Sequence, residues 1–283
     1  MNHTDWTGKQ DESKVTVDGH DLTVAYYEDG VNNDGPPILL LHGIPTWSFL
    51  WRNVAASLAE DHHVIAPDLL GYGNSAMFDG FDRSIRAQER MVGELIETVG
   101  EGTVSLVGHD IGGGVALRYA AHSPDTVDRL VLSNAVCYDS WPVDIVVELG
   151  LPTVPEEAPE KIDELLGMAF SAEFMAEPPE ESFVEGMHAP WDSAEGRLSL
   201  VRNAVSLNTN HTTELDYGAI RAETLLLWGA DDFAQPVANA ERLASDVADA
   251  QVVELDGASH WVMEDRTDAY VENLRSFFGS ASH

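Results

Sequence analysis

Val104-Ser105-Leu106-Val107-Gly108-His109-Asp110-Ile111-Gly112-Gly113 is a short apolar run, a glycine-bracketed turn and the start of a helix-forming stretch. That order is the layout of a nucleophile elbow, G-x-S-x-G, where a strand turns sharply into a helix and exposes the central side chain. Asp110 occupies the serine slot. The exchange changes the chemistry. A serine alkoxide attacks carbonyl carbon, whereas a weakly basic carboxylate suits displacement at a saturated carbon bearing a leaving group. Attack of a carboxylate on an ester would give a reactive anhydride, which argues against ordinary esterase or lipase work. The blander alternative is that Asp110 only caps the helix behind it.

Outward from this turn the chain alternates strand and helix. Thr16-Val17 and Leu22 to Tyr27 flank Asp18-Gly19-His20, a hairpin signal. Ile38-Leu41 is a continuous apolar run, as expected of a parallel strand buried on both faces. Helix is expected over Ser48–Ala59, strand over Val64–Ala66, helix over Arg83–Thr98, strand over Val104–Val107 and helix over Gly113–Ala121. Leu130–Ser133 and Thr224–Trp228 read as further strands, followed by helix Val237–Val247, strand Gln251–Leu255 and helix Arg266–Phe278. From about Tyr138 to Tyr217 the texture is helical, acidic and proline-broken, as in Leu151-Pro152, Pro155-Glu156-Glu157-Ala158-Pro159 and Glu177-Pro178-Pro179. The organisation is therefore an α/β core over 1–137 and 218–283, with a mostly parallel central sheet, helices on both faces and a helical lid over 138–217. Lid residues Met168, Phe170, Phe174, Phe183, Met187 and Trp191 are candidates for an apolar pocket or for the lid's own packing.

Composition narrows the partners. The 283 residues carry 49 Asp and Glu against 15 Lys and Arg, a formal net charge of −34. Such a surface repels itself in ordinary buffer, and multimolar salt shortens the Debye length to about 3 Å. A halophilic protein with an acidic surface is the expectation, the alternative being a merely acidic mesophilic enzyme. Nucleic acid is an unsuitable partner, because binding phosphates needs a positive footprint. No apolar run reaches the roughly 18 residues of a membrane span. Met1 to Ser13 is polar and reads as a frayed arm rather than a signal peptide. The single Cys137 excludes an internal disulfide and fits a cytoplasmic location. The expected partner is a small apolar organic substrate, with room for a homo-oligomer.

Three residues follow in the chain order nucleophile, acid, base. Asp110 is the candidate nucleophile. Asp232 ends Trp228-Gly229-Ala230-Asp231-Asp232, just after a buried strand, with Asp231 as the alternative acid. His260 lies in Gly257-Ala258-Ser259-His260-Trp261 after the last strand, where a plain surface histidine is the bland reading. The loop Leu41-His42-Gly43-Ile44-Pro45-Thr46-Trp47-Ser48 leaves a buried strand and fits an oxyanion hole, pairing the Ile44 and Ile111 N–H groups. His42 is read as a brace for this loop. The histidines show no metal-ligand spacing.

These segments resemble the α/β-hydrolase fold over nearly the whole chain, and most closely its aspartate-nucleophile branch, the haloalkane dehalogenases and epoxide hydrolases. His42-Gly43-Ile44-Pro45-Thr46-Trp47-Ser48-Phe49-Leu50-Trp51-Arg52 is similar to the corresponding dehalogenase loop, and Asp68-Leu69-Leu70-Gly71-Tyr72-Gly73-Asn74-Ser75 to a loop shared across the superfamily. The resemblance implies a cofactor-free cycle without metal. Asp110 would form an alkyl-enzyme ester, and His260, oriented by Asp232, would activate water against it. Two departures stand out. Dehalogenases place a tryptophan after the nucleophile and a second Trp or Asn elsewhere to grip halide, where this chain has Ile111 and Ile44. Trp47, Trp141 and Trp191 are the candidate replacements for leaving-group contact. The arginines by which fluoroacetate-type enzymes hold a carboxylate are missing after Asp110, which disfavours haloacids. Epoxide hydrolases use lid tyrosines, and only Tyr138 and Tyr217, at the lid's two ends, are available. Carbon–halogen cleavage leads, epoxide opening is second, and a non-catalytic ligand-binding protein of this fold is third.

Overall fold

The chain's continuous apolar runs become the middle of one sheet because each must be covered on both faces. In the computed structural model, which describes residues 1–100, 102–151 and 159–279, the strands are β1 (Gln10–Val17), β2 (His20–Asp29), β3 (Ile38–Leu41), β4 (Val64–Pro67), β5 (Val104–His109), β6 (Val127–Ser133), β7 (Glu223–Gly229) and β8 (Ala250–Leu255). They form an eight-stranded sheet in the order β1-β2-β4-β3-β5-β6-β7-β8. β2 runs antiparallel to both β1 and β4, and every other pairing is parallel. Every residue of β3, β4 and β5 is buried. Alternate residues of one strand serve opposite faces: Leu39 and Leu41 join one core with Leu106 and Leu132, while Ile38 and Leu40 join the other with Val107 and Val131.

Helices cover both faces as expected, with bounds shifted by one or two residues. Ile85–Val99 begins at Ser84, whose side chain accepts from the Ala87 N–H, and ends at Gly100 in the left-handed region. The expected helix at Ser48–Ala59 is a 3-10 turn, Ser48–Trp51, running into Arg52–Leu58. The helix behind Asp110 starts at Ile111, two residues earlier than expected, and runs to His122. Between β6 and β7 every described regular element is helical: Asp144–Leu149, Pro159–Ala169, Glu181–His188, Ala194–Val205 and Asn210–Thr213, with short 3-10 turns. Glu177-Pro178-Pro179 separates two of these helices. The other expected proline breaks, at 152–158, lie outside the described residues. No helix among the described residues is long and apolar enough to cross a membrane.

The N-terminal arm corrects the sequence reading. Met1–Ser13 is not frayed: His3–Thr7 is a helix capped by Asn2, and β1 starts at Gln10. Trp6 is fully buried, stacks on Tyr27 at 4.1 Å between ring centroids, and donates its indole N–H to Ser48 Oγ at 2.9 Å. Gln10 Nε2 reaches the buried Asp68 carboxylate, which also accepts from the Ser48 N–H. Polarity misled because β1 is an edge strand that buries only alternate residues. One indole, invisible to a window average, anchors the arm over the loop that leaves β3.

Candidate active site

Asp110 sits where β5 turns into its helix, with φ 51° and ψ −123°. A non-glycine residue there is strained, and the flanking glycines make the turn feasible. A Cβ on Gly108 would lie 2.6 Å from Gly112 O. A Cβ on Gly43 would lie 2.5 Å from Asp110 Cβ, so glycine lets the two loops touch. The Asp110 side chain makes no capping bond to its helix, which removes the helix-cap reading. Instead Oδ1 accepts the Ile44 N–H at 2.9 Å, and the Ile111 N–H stands close enough to favour the charged carboxylate. Burial raises the Asp110 pKa, opposed by His260 and by these two donors.

The other two members converge on it. His260 Nδ1 meets Asp232 Oδ2 at 2.8 Å, and Nε2 lies 3.7 Å from Asp110 Oδ2. All three residues are buried. Burial lowers the His260 pKa, but Asp232, then Asp110 and Asp265, more than offset it and leave it raised. Burial pushes Asp232 up, yet His260 and the donors around it hold it below the usual carboxylate range. Those donors include Asn134 Nδ2 at 2.7 Å and the Ala234 N–H at 2.8 Å. Asn134 also accepts the Gly229 N–H, tying the end of β6 to β7. Sequence reasoning missed Asn134; a polar residue straight after a buried strand was the available signal. Asp231 is exposed, and of the two neighbours it is Asp232 that meets His260.

Two further histidines are neutral supports. His42 accepts the Leu69 N–H at Nε2, so Nδ1 carries the proton toward Gly43 O at 2.9 Å. Burial lowers its pKa to about 4. It braces the loop that leaves β3. His109 bonds Ser133 O through Nδ1 and packs 4.8 Å from the His260 ring, and burial holds it well below the ordinary histidine range.

The cavity above Asp110 is almost wholly apolar. Ile44, Ile111 and Val136 line it from the core, and Ile145, Leu149, Leu165, Leu166 and Phe174 from the insertion. Of the six lid residues considered from sequence, only Phe174 lines it; Phe170, Phe183, Met187 and Trp191 are buried in packing, and Met168 is 39 % exposed. Nor are the tryptophans placed for leaving-group contact. Trp47 donates to Gly186 O, Trp191 to Pro45 O and Trp141 to Thr212 Oγ1, at 2.8, 3.0 and 2.8 Å. Trp47 and Trp191 do not line the cavity; Trp141 does, with its N–H committed elsewhere. The lining also includes Trp261, whose N–H goes to Ala169 O, and Gln235, which sequence reasoning passed over. The lid tyrosines point away: Tyr138 donates to Asp246, and Tyr217 to Thr212 O.

The His260 loop is fastened to the insertion. The His260 and Trp261 N–H groups share Phe174 O, and Asp265 accepts from Ser259 N–H at 2.8 Å and Ala176 N–H at 3.0 Å. Asp265→Ala removes both acceptors. A loss of about 2 kcal/mol is expected for charge-assisted bonds of this kind, read as a lowered urea midpoint with an unchanged slope. Wild-type stability in that variant would show the clasp to be idle.

The sequence pattern of the α/β hydrolase fold matches residues 36–267. This chain belongs to the α/β-hydrolase fold family. It is a hydrolase by that membership and by its relatives. This α/β hydrolase is 29% identical over 275 residues to haloalkane dehalogenase 2 of Mycobacterium tuberculosis, covering 90% of this chain and 91% of that one. It is 25% identical over 260 residues to a cis-3-alkyl-4-alkyloxetan-2-one decarboxylase of Shewanella oneidensis, covering 86% and 82%. Among solved structures it is similar to an α/β hydrolase fold protein from Burkholderia ambifaria, with a TM-score of 0.83 and 24% identity over 93% of this chain and 97% of that one.

Proposed function

We propose that this α/β hydrolase cleaves carbon–halogen bonds of small neutral organohalides through an ester on Asp110. One observation carries the reading: a buried carboxylate, held by the Ile44 N–H on one oxygen, faces His260 Nε2 across 3.7 Å with its other oxygen. An Asp110 oxygen attacks the carbon bearing the halogen; the C–O bond forms as the carbon–halogen bond breaks, and the electron pair leaves with the halide. Water then attacks Asp110 Cγ while His260 Nε2 takes its proton. Charge on the carbonyl oxygen collects beside the Ile44 and Ile111 N–H groups. The alcohol departs with a proton from His260, one water oxygen stays on Asp110, and the second water proton leaves to solvent to restore the carboxylate. Asp232 keeps His260 in the tautomer whose Nε2 is free to accept.

Halide is favoured over epoxide because an opening epoxide oxygen needs a proton donor. No tyrosine lines the cavity among the described residues, and the two lid phenols are engaged elsewhere. The relative named as a dehalogenase over nine-tenths of this chain supports the same choice. An assembled triad weighs against a non-catalytic binder. The deciding assay is a panel of 1-bromo- and 1-iodoalkanes, styrene oxide and a cis-dialkyl oxetan-2-one, followed as halide, diol and carbon dioxide. Halide release is expected; diol or carbon dioxide alone would overturn the halide assignment.

We also propose, from the net charge of −34, that the enzyme works in concentrated salt. With 49 acidic and 15 basic residues, most carboxylates have no cation to pair with. Raising KCl from about 0.1 to 3 M should raise the melting temperature by roughly 10 °C or more, because screening relieves self-repulsion. A melting temperature that is flat or falls across that range, followed by circular dichroism, would remove the halophilic assignment.

A further inference from the structure

We propose that Gln235 supplies the N–H that receives the departing halide. The inference rests on the Asp110-ester reading and names the group that reading lacks. Gln235 is 1% exposed and lines the same cavity as Asp110 and His260. It stands on the turn of Asp232: it follows Ala234, whose N–H bonds Asp232 Oδ1 at 2.8 Å, and its carbonyl accepts the Trp228 indole N–H at 2.6 Å. The side chain is therefore rooted in the triad itself.

Its amide has one orientation. Oε1 accepts from Ser140 Oγ at 2.7 Å and from Asn239 Nδ2 at 3.0 Å. The Ser140 backbone carbonyl on the other side can only accept, so the atom facing it is the nitrogen. Nε2 then carries two hydrogens, of which Ser140 O takes one at 3.3 Å. The second has no acceptor among the described residues. Elimination gives the same answer. Among the described residues, the polar side chains in the cavity wall are Asp110, His260, Trp141, Trp261 and Gln235. The first two belong to the triad, and both indole N–H groups are committed to Thr212 and Ala169. Among the described residues of the wall, Gln235 alone keeps a neutral side-chain donor.

The chemistry fits a displaced halide. Charge moves from Asp110 onto the leaving atom during attack, and a fixed dipole in an apolar cavity stabilises it there. A neutral amide gives this help without pairing with the ionised Asp110 in the resting enzyme, as a cation would. The ligand class is a monoatomic halide anion, and the dependence should grow as the leaving group worsens from iodide to chloride.

Two variants test it. Gln235→Met keeps the length and removes all polarity; Gln235→Glu keeps the oxygen that faces Ser140 and Asn239 and replaces the donor with an acceptor. Rates for 1-iodo-, 1-bromo- and 1-chlorobutane are compared in potassium sulfate, which brings no competing halide. The iodide-to-chloride ratio of kcat/KM should rise about tenfold in both variants, the effect of one lost neutral donor. Bromide should also quench tryptophan fluorescence saturably in the wild type, through Trp141 and Trp261, and not in the variants. An unchanged ratio, an impairment confined to Gln235→Met, or the absence of saturable quenching in the wild type overturns the proposal. Failure of the Asp110 reading shows separately, as no heavy oxygen in Asp110 after wild-type turnover in labelled water; the bromide titration judges Gln235 in either case.

Discussion

His260→Phe is expected to leave the protein alkylated and stalled. The first step uses the Asp110 carboxylate, the backbone donors beside it and the Gln235 amide, and none of these groups is on His260. The second step needs a base 3.7 Å from the carboxylate, and phenylalanine offers none. Turnover should fall by roughly four orders of magnitude or more, the scale seen when a triad base is removed. Intact mass should rise by one alkyl group, and fragmentation should place it on the peptide carrying Asp110. In the wild type the same base must be neutral to act. The raised His260 pKa keeps the proton on to higher pH than a free histidine would, so ester hydrolysis should decline as pH falls through that raised value. Wild-type-like turnover without His260 would sink the two-step cycle.

Asp110→Asn should abolish the adduct altogether. Asparagine is among the residues that best tolerate positive φ, so the 51° turn at this position survives. Its side-chain oxygen can still accept the Ile44 N–H. What is lost is nucleophilicity, and the expected fall in rate is again roughly four orders of magnitude or more. Placed in the His260→Phe background, the substitution separates the two steps: no mass gain should appear on incubation with substrate. Persistent alkylation in the double variant would assign the nucleophile to another residue.

Much of the fold was legible because its signals are local. A run such as Ile38–Leu41 announces a strand covered on both faces, and Gly108-His109-Asp110-Ile111-Gly112 announces a tight strand-to-helix turn, within a handful of residues. The position of Asp232 could be read only to within one neighbour; exposure of Asp231 and the bonds from Asn134 and Ala234 single out Asp232. Hydrogen bonds from residues 98 and 2 positions away cannot be inferred from the run Ala230-Asp231-Asp232.

The N-terminal arm shows the opposite failure. Average polarity over Met1–Ser13 hides a single tryptophan whose partners, Tyr27 and Ser48, are supplied by the hairpin and by the loop after β3. Burial of such an aromatic outweighs the surrounding polarity, because one indole removes a large apolar area from water. The pocket wall stayed open between two readings for a related reason. Helical periodicity says that Phe170, Phe174 and Phe183 face inward somewhere, but not whether they meet the cavity or one another.

By itself the sequence determined the parallel sheet, the chain order of Asp110, Asp232 and His260, the loop that follows Leu41 and the charge of −34, since each depends on neighbours along the chain or on a sum over it. Tertiary structure decided which donors remain free. The Trp47, Trp141 and Trp191 N–H groups are taken by partners 139, 71 and 146 positions away, and Gln235 is locked by Ser140, 95 positions back. A hydrogen bond consumes a donor wherever folding brings an acceptor within about 3 Å, and no local pattern records that distance.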